Sequence, residues 1–201
     1  RTRADYYKVS LATGERTLIS EADYANYRLS STGKYAGTYN ATDSCWYTIN
    51  LADNRKIQLT TPQTFPAWDE DNDVPNYPSP HGMAGWAKGD AALLIYDRYD
   101  IWSFDPEGKK APVRLTKNGR ENKVTYRRIV LDREQMDIDL KEPMLMTGFN
   151  EVDKSTAVYR ARLIAPATPT SLAGGNCNYD NVIKAKNADK NSASKENTEV
   201  F

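Results

Sequence analysis

Apolar residues in this chain come in short runs separated by Gly, Asn, Asp and Pro, and few of them recur at the helical spacing of three and four. Three segments share one plan: a strand, a tight turn, and a second strand that ends in Leu, Ile or Thr. They are DYYKVSLATGERTLIS at 5–20, CWYTINLADNRKIQLTT at 45–61 and YDIWSFDPEGKKAPVRLT at 99–116. Each reads as a β-hairpin. Gly14, Asn54 and Gly108 fall at the same place in the three turns, a place that suits the left-handed residue following a type I turn, which Gly and Asn tolerate best. Pro106 fits the fixed φ of the turn's second position.

A second hairpin precedes the first in two units, around Gly33 in YRLSSTGKYAGTY and around Gly89 in AGWAKGDAALLIY, which makes four strands per unit. The turn residues are spaced by 40 from Gly14 to Asn54 and by 54 from Asn54 to Gly108, the excess matching an insertion at 61–83. Four short strands in a period of about 40 to 50 residues is the pattern of propeller blades. A looser fourth unit is expected to place strands at Tyr126–Asp132, Pro143–Phe149 and Ala157–Ile164, with the polar excursion EQMDIDLKEP at a rim. The chain is therefore expected to be all-β. Residues 1–186 should form a propeller-like array of about four four-stranded antiparallel blades, the first a half lacking its inner strands. The array is expected to be a section of a larger ring, and 187–201 a polar, disordered tail. Exposed blade edges lead to an expectation of association between copies.

Thirteen Tyr and four Trp support the strand reading, because aromatic side chains pack well on a pleated surface. Lys plus Arg and Asp plus Glu are each 27, so there is no basic excess to attract nucleic acid or a membrane surface. Apolar runs such as Ala91–Tyr96 are too short to span a bilayer. The two cysteines, Cys45 and Cys177, are too few for a disulfide scaffold and lack zinc-site spacing. They read as independent thiols, with one long-range disulfide as the alternative.

No catalytic residue, cofactor or metal site is expected in this chain. A serine hydrolase needs a G-x-S-x-G elbow and a histidine base, but the elbow is absent and the single histidine, His81, lies in the loop-like NYPSPHGMAGW. The acidic run Asp69, Glu70, Asp71, Asn72, Asp73 begins like a calcium loop. Counting from Asp69, however, Val74 and Pro80 stand where an EF-hand wants Gly and Glu, so a solvated loop is expected. The pairs Asp132 with Glu134 and Asp137 with Asp139 are what glycoside cleavage would use, but such pairs arise by chance in a chain 27% charged. Trp46 and Trp102 sit in corresponding third strands and are expected to fill the gap between blades. Trp68, in the acidic insertion, is the exception. The candidate binding surface is therefore Trp68, Asp69, Asp71, Asp73, Tyr77 and His81, with the loop at 133–142 as a second candidate.

The segments WDEDNDVPNYPSPHGMAGWAKGDAALLIYDRYDIWSFDPEGKKAPVRLT at 68–116, YRRIVLDREQMDIDLKEPMLMTGFNE at 126–151 and NVIKAKNADK at 181–190 resemble the N-terminal propeller of prolyl oligopeptidase family proteins. The likeness is to the large dipeptidyl-peptidase-like members of Bacteroidetes, which are secreted or periplasmic. In that family a seven- or eight-bladed propeller caps an α/β-hydrolase domain that carries the serine, aspartate and histidine, and it restricts access to short peptides. The resemblance implies a non-catalytic propeller portion that limits or docks peptide substrates, with the hydrolase domain absent, in a periplasmic or secreted protein. Its partners would be a peptide substrate or the missing hydrolase domain. The alternative is a stand-alone propeller that binds a protein or glycan through the loops at 61–83 and 133–142.

Overall fold

The computed structural model describes residues 3–23, 26–175, 177–179 and 182. In it β1 (Ala4–Val9) and β2 (Arg16–Asp23) form a two-stranded sheet. Next, β3 (Arg28–Leu29), β4 (Tyr35–Asn40), β5 (Cys45–Asn50) and β6 (Lys56–Gln58) form an antiparallel sheet in chain order. A second four-stranded sheet contains β7 (Met83–Trp86), β8 (Leu93–Tyr96), β9 (Ile101–Phe104) and β10 (Val113–Arg114). After the one-turn helix α1 (Gly119–Asn122), the third contains β11 (Val124–Arg128), β12 (Pro143–Asn150), β13 (Thr156–Arg162) and β14 (Thr170–Ala173). This is the expected blade-like array, opening on a half blade. Among the described residues the first hairpin and the last sheet share no strand pairing.

The turn chemistry explains the hairpins. Gly14, Asn54 and Gly108 have φ of 73°, 59° and 66°, the left-handed conformation expected of them. The Leu-Thr ending of the units also has a physical role. Thr60 Oγ1 accepts from Trp46 N at 2.8 Å, and Thr116 Oγ1 accepts from Ile101 N at 2.9 Å. In each sheet the hydroxyl thus satisfies a buried donor at the start of the third strand, where the fourth strand has already turned away.

The fourth unit departs from expectation at its edges. Its first strand runs 124–128 rather than 126–132, because Lys123, with φ of 54°, turns the chain out of α1 directly into β11. The third strand ends at Arg162, and a fourth, β14, lies in a Pro- and Thr-rich stretch that carries no strand signal of its own and is held by its pairing with β13. Lys154, with φ of 65°, repeats the Asn54 turn between β12 and β13: in both, the leading Asn accepts from the amide two residues on. The tail expected at 187–201 lies outside the described residues.

Sheet faces make the core. β8 reads LLIY without alternation because both of its faces are covered. Leu93 and Ile95 point toward the first four-stranded sheet, into a cluster with Tyr35, Trp46, Trp86 and Phe104. Leu94 and Tyr96 point the other way, toward Val124, Tyr126, Met144 and Met146. Trp46 is buried in the first of these gaps and Trp102 packs against it, as expected of their positions. Burying each such aliphatic side chain is worth about 1.5–3 kcal/mol, so the two gaps hold the stack together.

Turns reach across the first gap as well. Asp90, buried and left-handed at φ of 58°, accepts hydrogen bonds from Ser30 Oγ (2.6 Å), Ser31 Oγ (3.1 Å), Thr32 N (3.2 Å) and Thr32 Oγ1. Glu107 accepts from Tyr35 Oη and pairs with Arg55, while Thr48 Oγ1 donates to Pro106 O at 2.6 Å. Burial pulls the Asp90 carboxyl upward, but the hydrogen bonds from Ser30, Thr32 and Ser31 outweigh it and hold it below the ordinary value. The carboxylate therefore stabilises the fold above its unfolded pKa, and that contribution is lost as pH falls through the depressed folded value.

Two outcomes follow. Replacing Leu93 with Ala, which empties a fully buried site, should cost about 2–5 kcal/mol in denaturant unfolding. Asp90→Asn should lower stability at neutral pH and, in thermal melts, make the loss between about pH 5 and pH 3 smaller than in the parent protein.

Candidate functional site

The insertion at 61–83 is built from its anchors outward. Phe65 and Ala67 are buried in the gap between the first two four-stranded sheets. Its neck is closed by a bridge between Trp68 and Pro80, with Asp69 N donating to Ser79 O (2.8 Å) and His81 N to Ala67 O (3.0 Å). Residues 69–79 form a compact loop with its ends tied together, and Asn72 Nδ2 donates to Val74 O and Asn76 O across its tip.

The acidic side of this loop is more than solvated surface. Asp71 pairs with Arg98 at 2.8 Å and Glu70 with Arg120 at 3.5 Å. Arg98 also binds Glu151 at 2.9 Å, and Arg120 lies 3.6 Å from Asp97. Hydrogen bonds to Glu151 and Asp71 hold the Arg98 guanidinium firmly protonated. The run therefore fastens the loop to the turn between β8 and β9 and to α1, and Asp69 and Asp73 are left exposed. Trp68, expected to be a free binding platform, is half-buried against the core between the sheets, where its ring serves packing. His81 is half-buried too. Burial, then the nearby Arg127 charge, lower its pKa, and its Nε2 is buried without a hydrogen-bond partner among the described residues. Tyr77, in contrast, lines a cleft.

That cleft, of about 950 Å³, opens where the first strands of the sheets meet the loop. Four large apolar side chains that are otherwise unaccountably exposed converge on it: Leu29 of β3 (61% exposed), Tyr77 (54%), Val130 (51%) and Met136 (69%). Met83, Trp86 and Trp46 form its deeper wall, and the buried Trp46 Nε1 donor has no hydrogen-bond partner among the described residues. Among the described residues the charged ones in the lining are Asp23 and Arg28.

Edge strands normally offer unpaired backbone groups, but here the following sheet takes them up. Trp86 Nε1 donates to Arg28 O (3.3 Å), and Arg128 Nη1 to Ala84 O (3.2 Å). The excursion EQMDIDLKEP, expected at a rim, instead turns inward at Ile138. Its N donates to Trp86 O (2.8 Å), its O accepts from Lys88 N (2.9 Å), and its side chain enters the core. Gly85, at φ of 138°, permits this approach, since a Cβ there would lie 3.1 Å from Ile138 Cδ1. Inward placement of Ile138 carries Val130 and Met136 to the cleft, a convergence for which the sequence offers no local signal.

The excursion also borders a second cleft of about 710 Å³, with Asp132, Glu142, Arg160 and Leu172 in its lining. The carboxylates proposed in pairs hold turns here: Asp132 accepts from Glu134 N, and Asp139 from Lys141 N and Lys88 Nζ. Among the described residues no group of three or more His, Cys, Asp or Glu is placed to hold a metal ion. Cys45 and Cys177 are both free thiols, the first buried and the second exposed. No helix among the described residues is long and apolar enough to cross a membrane.

Because exposed ion pairs contribute little each, the loop should be held only moderately. Asp71→Asn should speed amide hydrogen exchange across 69–79 by about two- to fivefold. Asp73→Asn, an equal charge change on the same loop, should leave it unaltered.

No protein-family model matches this chain, and no curated protein matches it.

Proposed function

We propose that this chain is a non-catalytic β-propeller portion of a prolyl-oligopeptidase-like serine peptidase, of periplasmic or secreted type, that docks or limits peptide substrates. The reading rests on the likeness of segments 68–116 and 126–151 to that family's propeller, together with the blade-like sheets. The observation that carries the docking role is the convergence of Leu29, Tyr77, Val130 and Met136 on one cleft. Isolated exposed apolar residues need no explanation, but four from three separate parts of the chain around one concavity do. Asn40 and Asn76 add polar side chains to the lining, of a kind suited to a peptide backbone.

The chemistry of cleavage is assigned to a separate hydrolase domain, since this chain has no G-x-S-x-G elbow and a single, half-buried histidine. A second reading, a stand-alone propeller that binds a protein or glycan, draws on the second cleft beside the 129–142 loop.

Titration with short apolar, proline-containing peptides should quench or shift tryptophan fluorescence, because Trp46 and Trp86 line the cleft. Tyr77→Ala should weaken the binding about three- to tenfold, and chromogenic proline peptides should remain uncleaved. Binding of oligosaccharides in place of peptides would favour the second reading, and cleavage that survives replacement of His81 would refute the first.

A further inference from the structure

We infer that His81 is a pH-sensitive latch on the docking cleft: the neutral imidazole holds the neck of the 69–79 loop closed, and its protonation releases the neck and weakens peptide binding. The last step rests on the docking reading of the cleft, and the rest on the geometry of the loop. His81 is the single histidine of the chain, and imidazole is the side chain whose ordinary charge change falls between pH 5 and pH 8. It occupies the neck itself, where its N donates to Ala67 O at 3.0 Å beside the Trp68–Pro80 bridge. Residues 77–80 and 82–86, on either side of it, line the cleft. The position of the neck therefore sets two of the cleft's walls.

The packed imidazole has no provision for a second proton. Its Nε2 is buried with no hydrogen-bond partner among the described residues. A neutral ring protonated at Nδ1 leaves a bare acceptor there, whereas an imidazolium places a charged N–H donor with nothing to receive it, which costs more. Four charged groups act on the ring: Asp69 and Glu70 of the loop, Asp97 of the turn between β8 and β9, and Arg127 of β11. The carboxylates are already engaged. Asp69 accepts from Asp71 N, Glu70 pairs with Arg120, and Asp97 accepts from Tyr99 N, Asp100 N and Trp102 Nε1. Arg127, fixed by its bonds to Tyr126 O, Asp97 O and Arg98 O, repels a second cation. Burial first, and then Arg127, outweigh the three carboxylates and hold the His81 pKa below its ordinary value. The closed neck thus takes up a proton less readily than the open one. Its stability is whole above the ordinary histidine value of about 6.5 and declines as pH falls from there through the lowered closed-state value.

The test follows the full chain between about pH 7.5 and pH 5, on either side of the histidine midpoint. The Asp69 and His81 amides donate across the neck, and their protection is read by hydrogen exchange without peptide, corrected for the intrinsic effect of pH. It should fall about three- to tenfold at the lower pH. His81→Gln and His81→Phe, which cannot take up the proton, should keep their protection constant. Affinity for the neutral peptide acetyl-Ala-Pro-Phe-Ala-amide, read by tryptophan fluorescence, should weaken by a similar factor in the parent chain and stay level in both variants. Protection that is equal at the two pH values overturns the latch, as does a fall shared by the variants, which would place the titration on Glu70 and Asp71. Either result leaves the docking reading intact. Loosening confined to the parent chain, with no peptide bound at any pH, overturns the docking reading and the last step with it. The imidazole resonances of the parent chain should titrate with a midpoint below about 6.5, and a midpoint at or above that value overturns the latch whatever the variants do.

Discussion

Everything in this fold that is not a local turn depends on apolar sheet faces being buried against one another. β8 lies at the centre of that arrangement, with Leu93 and Ile95 covered by one neighbouring sheet and Leu94 and Tyr96 by the other. A sheet of four short strands cannot bury both of its faces alone, and stacking supplies the cover. The polar contacts between turns, Asp90 with Ser30, Ser31 and Thr32 above all, fix how neighbouring sheets are rotated once the apolar faces have met.

The cleft is a by-product of that stacking. Its walls come from β3, from β7, from the loop closed by the Trp68–Pro80 bridge and from the excursion that Ile138 pins to β7. The same contacts that protect the free edges of β3 and β7 therefore also set its shape. Glu70 and Asp71 hold the loop in place through Arg120 and Arg98, and none of these four residues lines the cleft.

The hairpins were legible because their turns demand particular residues, and Gly14, Asn54 and Gly108 adopt the left-handed conformation that their chemistry suggests. The same turn at Lys154 is not legible because lysine carries no such signal, and β14 is not because TSLA is a strand only through its partner β13. The site was less legible. Trp68 and the acidic run stand out by composition, yet one packs against the core and two carboxylates of the other, Glu70 and Asp71, serve ion pairs within the protein. Tyr77 is marked by its place in the insertion. Leu29, Val130 and Met136 lie far apart in sequence and look like ordinary surface residues until sheet stacking brings them together.

Native-state hydrogen exchange tests the mutual dependence of the sheets most directly. The amides of β5, β8 and β12 should exchange through one shared opening, with those of β8 among the slowest in the chain. Exchange of β12 through an opening well separated in free energy from that of β8 would contradict it, since the last sheet would then stand without the burial on which this account relies.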